Sequence, residues 1–330
     1  MDAARGTQRR CATPSRRAAR TLAGAAAVLT LAACAGGPTT TTAAPSGAGS
    51  APGTVTSAAP TPVPTTVPVP STTPAPAPPA TTPVTPAATT PAPAGGATAA
   101  PSWLGRRVLK LRKDGYGVMG PTPPELDPRN IATVDTLPPP AGGTFRSTVT
   151  AVPASVVARS TWGPDCPVTL EDLRYVTVSF VGFDGRPHTG ELLVNKAAAP
   201  AMVRVFRKLY AARFPIERMV VTTTEERDAP PTGDGNTTGS FNCRSAAGTA
   251  HWSQHAYGLA VDVNPFMNPY VKGGITLPEL AGTYRDRADV RPGMITRGSP
   301  AARAFAAEGW VWGGNWKSLK DYMHFSRNGT

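Results

Sequence analysis

The sequence lacks several features that integral membrane proteins and nucleic-acid-binding proteins need. Its N-terminal apolar run, residues 21–33, is shorter than the roughly 20 apolar residues of a permanent transmembrane helix. Aromatic residues make up only 7% of the chain and are not interleaved with any basic stretch, which argues against a nucleic-acid partner. Residues 35–100 lack charged and aromatic side chains. A segment of that composition cannot bury enough apolar surface to fold, so we expect a disordered tether.

The N-terminus predicts export. A basic region precedes the apolar run, which ends in small residues, as in a cleaved signal. Leu31-Ala32-Ala33-Cys34 resembles the bacterial lipobox, which would make Cys34 an acylated N-terminus and anchor the protein at the outer face of the cell membrane. The alternative is an ordinary secretory signal cut near the same place. The six arginines of the basic region are Arg5, Arg9, Arg10, Arg16, Arg17 and Arg20.

We therefore divide the chain into four parts. Residues 1–34 are the lipoprotein-type signal, 35–100 the Pro/Thr/Ala-rich tether, 101–154 an extended arm and 155–330 the folded domain. About 170 residues suffice for one core.

The pattern of the domain predicts an α+β fold with a small antiparallel sheet and flanking helices. Strands and helices do not alternate as they would in a parallel doubly wound sheet. A hairpin is indicated by Asp184-Gly185. The predicted strands are 174–180, 188–195, 219–223, 257–263, 310–314 and 322–326, and the predicted helices are 200–212 and 300–308.

Two short segments indicate a metal site. On a straight strand His255 and Asp262 would lie about 23 Å apart, and on a helix about 10 Å apart along the axis, so the chain must turn between them. Gly258 permits that turn. A catalytic zinc ion usually has three protein ligands and one open position, and His324 supplies the third ligand. Asp321 is then free to take a proton from water.

The two segments together resemble a known family. The first is Ser253-x-His255-x-x-Gly258-x-Ala260-x-Asp262, and the second is Asp321-x-x-His324. The pair is similar to the zinc D-alanyl-D-alanine carboxypeptidases and L-alanyl-D-glutamate endopeptidases of the hedgehog-like DD-peptidase fold. The similarity covers roughly residues 160 to 325. It implies Zn²⁺ as cofactor, peptidoglycan stem peptides as substrates and Asp321 as the catalytic carboxylate. Many family members carry Glu at the position of Asp321. The aspartate slightly favours the endopeptidases over the carboxypeptidases.

The resemblance also implies roles around the metal. Family members place an arginine upstream of the first histidine ligand, and Arg244 matches it in order, as the group that stabilises the oxyanion. Ser253 and Gln254 are expected to bind substrate, and Tyr270 could form a wall of the cleft. The tryptophans at 310, 312 and 316 are either core residues or a sugar-stacking surface.

The remaining histidines and cysteines are expected to have roles other than metal binding. His251 and His255 are spaced as in helical zinc sites, but Trp252 replaces the glutamate that such sites require, so His251 is expected to line the cleft or pack on Trp252. His188 is expected at the surface of its strand. Once Cys11 leaves with the signal and Cys34 is acylated, Cys166 and Cys243 remain. Two such thiols usually pair in an exported protein, and the resemblance implies the same disulfide.

The charge of the mature chain is compatible with a cell-wall substrate. The full chain carries +12. Residues 1–33 contain six Arg and one Asp, so their removal leaves +7, which suits an anionic wall polymer. The alternative to a peptidase is a catalytically inactive peptidoglycan-binding lipoprotein of the same fold.

Overall fold

The computed structural model describes residues 96–246 and 249–330. The predicted signal with Cys34 and residues 35–95 of the predicted tether lie outside the described residues. Within the described part, no helix is long and apolar enough to cross a membrane. The fold of this part is of the α+β class, as predicted, with several small sheets and few short helices.

The first sheet is an antiparallel meander in the order β1-β2-β3. Its strands are β1 (Ser147–Thr150), β2 (Leu173–Val181) and β3 (Pro187–Asn195). The β2–β3 hairpin turns at the predicted Asp184-Gly185, where Gly185 has φ of 73°. One face of the sheet packs on helix α2 (Ala199–Ala211), which buries Met202, Val205, Phe206 and Leu209.

The second sheet carries two of the predicted metal ligands. It has the order β6-β11-β9 and is antiparallel. Its strands are β6 (Ala260–Asp262), β9 (Val311–Trp312) and β11 (His324–Ser326). Phe325 in the central strand stacks on Phe305 of helix α4 (Pro300–Ala306), with ring centroids 3.9 Å apart. The same apolar cluster includes α2, so one core supports both sheets.

Smaller elements complete the fold. A third antiparallel sheet has the order β10-β7-β8, and β4 and β5 form a short parallel pair. The bounds are β4 (Arg218–Met219), β5 (Thr237–Thr238), β7 (Tyr270–Lys272), β8 (Ile275–Leu277), β10 (Lys320–Asp321), α1 (Ala154–Arg159) and α3 (Thr224–Asp228).

The predicted arm packs against the rest of the described chain. Leu126 and Ile131 are buried in a second apolar cluster with Phe266 and Tyr284. Arg129 is buried as well. Its guanidinium donates two hydrogen bonds to the Glu217 carboxylate, from Nε at 2.7 Å and from Nη2 at 2.6 Å. Strand β1 also precedes residue 155, the predicted start of the folded domain, and belongs to the first sheet.

The prediction that His188 lies at the surface was wrong. Its side chain is buried, and each ring nitrogen meets a carboxylate. Nδ1 lies 2.8 Å from Asp135 Oδ1, and Nε2 lies 3.0 Å from Asp184 Oδ1. Asp135 belongs to the arm. The arm therefore covers the face of β3 that carries His188, which the local sequence pattern predicted to be exposed to solvent. Burial of a polar ring is tolerated because both of its nitrogens have partners.

Four predicted strands are shorter than expected. Strand β9 covers only Val311–Trp312 of the predicted 310–314, and β11 only His324–Ser326 of the predicted 322–326. Strand β4 ends at Met219 rather than Thr223, because Thr223 accepts a hydrogen bond from Glu226 N and caps α3. Strand β6 begins at Ala260 rather than Tyr257. The preceding residues Gln254–Tyr257 form a 3₁₀ turn instead, which ends at Gly258.

Candidate metal centre

The 3₁₀ turn Gln254–Tyr257 places His255. Ser253 begins the turn, and its Oγ accepts a hydrogen bond from His255 N at 3.3 Å. Gly258 ends it in the left-handed region, with φ of 66°. A Cβ at Gly258 would lie 2.5 Å from Asn195 N, so the turn packs against the end of β3 only because that residue is glycine.

The ladder between β6 and β11 places the other two predicted ligands. His324 pairs with Asp262, and Phe325 pairs with Val261. Directly opposite residues of an antiparallel pair point to the same face, with Cβ atoms about 5 Å apart. The apolar neighbours Val261 and Phe325 point into the core on the other face. The Asp262 and His324 side chains therefore lie together on the face towards His255.

The three side chains converge. His255 Nε2 lies 3.2 Å from Asp262 Oδ2. His324 Nδ1 lies 3.2 Å from Asp262 Oδ1 and 3.3 Å from His255 Nε2. Zinc bonds of about 2.0–2.1 Å in a tetrahedral arrangement place neighbouring ligand atoms about 3.3–3.4 Å apart. The separation of the two histidine nitrogens therefore matches an edge of a zinc coordination tetrahedron, and each nitrogen lies at a similar distance from one oxygen of the Asp262 carboxylate.

The hydrogen bonds of the two rings indicate which nitrogens are free. His255 Nδ1 lies 2.5 Å from Ser240 O, and His324 Nε2 lies 3.2 Å from Thr330 O. A carbonyl oxygen only accepts, so these nitrogens carry the protons. The other two nitrogens then direct lone pairs at each other and at a carboxylate. A metal ion placed between them would be bound by all three side chains, and the donor chemistry suits zinc.

The disulfide lies close to this centre. Cys166 and Cys243 are bonded, as predicted. Next to the bridge, Asn242 N donates to His255 O at 3.2 Å. Ser240, whose carbonyl accepts from the His255 ring, also donates from its Oγ to Ala260 O at 2.7 Å. The segment 240–243 thus connects the disulfide, the 3₁₀ turn and β6.

Asp321 lies in β10, beside the ligands. Burial and the nearby Asp262 carboxylate raise the pKa of Asp321 to about 7, although His324 and Arg244 oppose that rise. Its Oδ1 is buried, and no partner in the described part of the chain forms a hydrogen bond with it. A Cβ at Gly313 would lie 2.6 Å from Asp321 O, so this close approach needs glycine. A carboxyl that titrates near neutrality is suited to exchanging protons.

The Asp262 carboxyl behaves in the opposite way. Burial alone would raise its pKa, but His255 and His324 interact with the charged form and lower the pKa below its usual value. Asp262 therefore stays ionised, as a ligand must. Asp262 and Asp321 are neighbouring carboxyls with opposite pKa shifts. The lowered pKa suits Asp262 to binding a metal, and the raised pKa suits Asp321 to acid–base chemistry.

The other predicted site residues lie around this centre. Arg244 is exposed, donates to Ser245 O at 3.3 Å, and lies near enough to Asp321 to lower the pKa of its carboxyl. Ser253 is buried at the start of the 3₁₀ turn, and Gln254 is half-buried within it. His251 is exposed and is not one of the three converging residues.

The position of Tyr116 was not predicted. The arm forms a hairpin in which Leu111 faces Gly117, and Gly117 N donates to Glu279 Oε1 at 2.8 Å. Tyr270 pairs with Asp321 across β7 and β10. Burial raises the pKa of Tyr270, and the nearby Tyr116 and Asp321 raise it further. Tyr116 therefore lies near Tyr270, so the arm hairpin reaches the third sheet close to the three converging residues. Because this proximity depends on a long-range contact, no local pattern indicated it.

Comparison with known proteins supports a peptidase. Residues 247–327 match the family model described as D-alanyl-D-alanine carboxypeptidase. The match spans about a quarter of the chain and supports this family at a coarse level. It includes all three converging residues and Asp321, whereas Arg244 lies before it. Searches of curated proteins and of solved structures found no match.

Proposed function

We propose that the protein is a zinc peptidase that hydrolyses the stem peptides of peptidoglycan. The observation that carries the proposal is the convergence of His255 Nε2, Asp262 and His324 Nδ1 beside Asp321. Peptidases of the matched family are typically zinc-dependent, and the family description names D-alanyl-D-alanine as the substrate. The three ligand atoms would hold the ion, which when bound acidifies water and polarises a peptide carbonyl.

The chain's own groups complete the proposed reaction. An Asp321 carboxylate oxygen takes a proton from water as the water oxygen attacks the peptide carbon. The same carboxyl then passes that proton to the leaving nitrogen as the C–N bond breaks. Arg244 faces the charge that develops on the carbonyl oxygen. The products are a carboxylic acid and an amine, and no other reactant is consumed.

The cleaved bond is either the terminal D-Ala-D-Ala bond or the L-Ala-D-Glu bond. The description of the matched family favours the first, and the aspartate at position 321 favours the second. Purified protein loaded with zinc should be incubated with muropeptides and the products weighed by mass spectrometry. Loss of one terminal alanine indicates a carboxypeptidase, and release of the rest of the stem indicates an endopeptidase. Intact muropeptides would contradict the proposal and favour the inactive wall-binding protein.

The proposed location is the outer face of the cell membrane. Export and acylation at Cys34 would anchor the domain, and the tether would let it reach the wall. A Cys34→Ala variant of the full chain should move from the membrane fraction to the soluble fraction after export. If wild type and variant fractionate alike, the lipid anchor is wrong and an ordinary secretory signal is favoured.

A further inference from the structure

Trp316 joins the third predicted ligand to a turn that follows β11. Its ring lies 5.4 Å from the His324 ring, centroid to centroid, at an angle of 47°. Its indole nitrogen donates a hydrogen bond to Gly329 O at 2.9 Å. Lys320 Nζ donates to Trp316 O at 2.6 Å, which fixes the tryptophan backbone. One side chain thus contacts both the ligand ring and the turn.

The turn Arg327–Thr330 is held by its own hydrogen bonds. Asn328 Oδ1 accepts from Thr330 N at 3.1 Å and from Thr330 Oγ1 at 2.9 Å. Arg327 N donates to Leu259 O at 3.1 Å, next to β6. Gly329 has φ of 80°, which suits glycine. This arrangement places Thr330 O where it accepts a hydrogen bond from His324 Nε2.

We infer that Trp316 and the turn Arg327–Thr330 form a clamp that fixes the tautomer and the orientation of His324. Trp316 is a positioning residue, because it acts through His324 and the turn. With the proton held on Nε2, the lone pair of Nδ1 is directed at Asp262 and His255. A hydrogen bond to the remote nitrogen of a ligating histidine has this effect in metal sites generally. The inference rests on the proposed zinc site.

The contacts of Trp316 favour the clamp over the two roles expected from the sequence. A sugar-stacking platform needs a free ring face, but Trp316 is half-buried against the His324 ring. A core residue would resemble Trp310, which packs on Phe305 in the main cluster. In the part of the chain that the structure describes, the buried Trp310 Nε1 has no hydrogen-bond partner. Trp310 is therefore a matched control for the loss of an indole N–H.

The test compares Trp316→Phe with Trp310→Phe. Phenylalanine keeps an aromatic ring but cannot donate to Gly329. We expect zinc affinity, measured by competition with a chromogenic chelator, to fall about 10- to 100-fold in Trp316→Phe. Trp310→Phe should bind zinc as the wild type does. The ¹⁵N shifts of the His324 ring, recorded without metal, should show protonated Nε2 in the wild type and a mixture of tautomers in Trp316→Phe.

The outcomes separate this inference from the proposed function. Wild-type affinity and an unchanged tautomer in Trp316→Phe would overturn the clamp. A wild type that binds no zinc would overturn the proposed function, while the tautomer measurement would still test the clamp. If Trp316→Phe does not fold, Asn328→Ala tests the clamp in its place, because this change loosens only the turn. Asn328→Ala with unchanged affinity and tautomer would also overturn the clamp.

Discussion

His324 and Asp262 lie directly opposite each other on β11 and β6, with His324 Nδ1 3.2 Å from Asp262 Oδ1. They are 62 residues apart in sequence. Their separation is set by strand register, because a slip of one residue would send one of them to the opposite face of the sheet. The apolar neighbours Val261 and Phe325 oppose such a slip, since either would have to leave the core.

Loss of one predicted ligand should strongly weaken zinc binding. His255→Ala removes one of the three converging atoms, and zinc affinity should fall by more than about 100-fold. Metal content after dialysis, measured by mass spectrometry, checks this. The matched control is His251→Ala, four residues earlier and exposed. The ligand assignment is wrong if His251→Ala loses zinc and His255→Ala keeps it.

Asp321→Asn should separate catalysis from metal binding. The amide keeps the shape of the side chain but cannot take a proton, so hydrolysis should fall about 10²- to 10⁴-fold. Zinc content should stay at the wild-type level, because Asp321 is not one of the three converging residues. Product formation from muropeptides and metal content are measured on the same sample. An active variant would remove Asp321 from the mechanism.

The pKa of Asp321 predicts how the metal-free protein responds to pH. Folding raises this pKa from 3.8 to about 7, so the folded state favours the protonated form. The stability present below pH 3.8 is lost as the pH rises towards 7. Asp321→Asn cannot ionise and should be more stable than wild type at pH 8, by up to about 4 kcal/mol, with little difference at pH 4.

Urea unfolding in the presence of a chelator measures that difference. The control is Asp165→Asn, which removes the charge of an exposed aspartate rather than a buried one. Equal stability of Asp321→Asn and wild type at pH 8 would show that the charge of Asp321 is not penalised by burial.

The disulfide should contribute substantially to stability. Cys166 and Cys243 are separated by 77 residues, and closing a loop of this length stabilises a fold by about 4 kcal/mol in the loop-entropy model. The Cys166→Ser, Cys243→Ser double variant should therefore unfold at lower urea concentration than oxidised wild type. Wild type with a reductant is the matched comparison. Free thiols in the untreated protein would exclude the bridge.

The buried ion pair between Arg129 and Glu217 should be important for attaching the arm. Arg129→Met leaves the Glu217 carboxylate without its buried cation, with Asn236 Nδ2 still donating to it, which should destabilise the protein by about 3–5 kcal/mol. Adding Glu217→Gln removes the unpaired buried charge and should restore part of the lost stability. Urea unfolding and limited proteolysis of the arm measure the two effects. An arm that is cleaved equally fast in wild type and Arg129→Met would show that the pair does not hold it.

The convergence of His255, Asp262 and His324 was predictable because its signals are local or tied to simple periodicity. His255, Gly258 and Asp262 lie within one short segment whose spacing requires a turn. The apolar residues that alternate with the ligands in β6 and β11 fix which face each ligand occupies. Strand β2 and helix α2 were likewise indicated by alternation and by an apolar stripe.

The contacts of the arm could not be derived in this way. Asp135 meets His188 across 53 residues, and Arg129 meets Glu217 across 88. Neither contact leaves a periodic pattern, because each depends on where an irregular segment crosses the sheet. The partners of Trp316 were unpredictable for a related reason, since its acceptor is a backbone carbonyl and any residue type supplies one.

The hydrogen bonds that His255 Nδ1 donates to Ser240 O and His324 Nε2 donates to Thr330 O hold both imidazole rings in place without help from an ion. Capture of zinc should therefore cost little conformational entropy, in contrast to small domains that fold only around their metal. Chelation would empty the centre and leave the surrounding strands intact. Reloading would then be governed by the arrival and dehydration of the ion, so a stripped sample should regain activity without a refolding step.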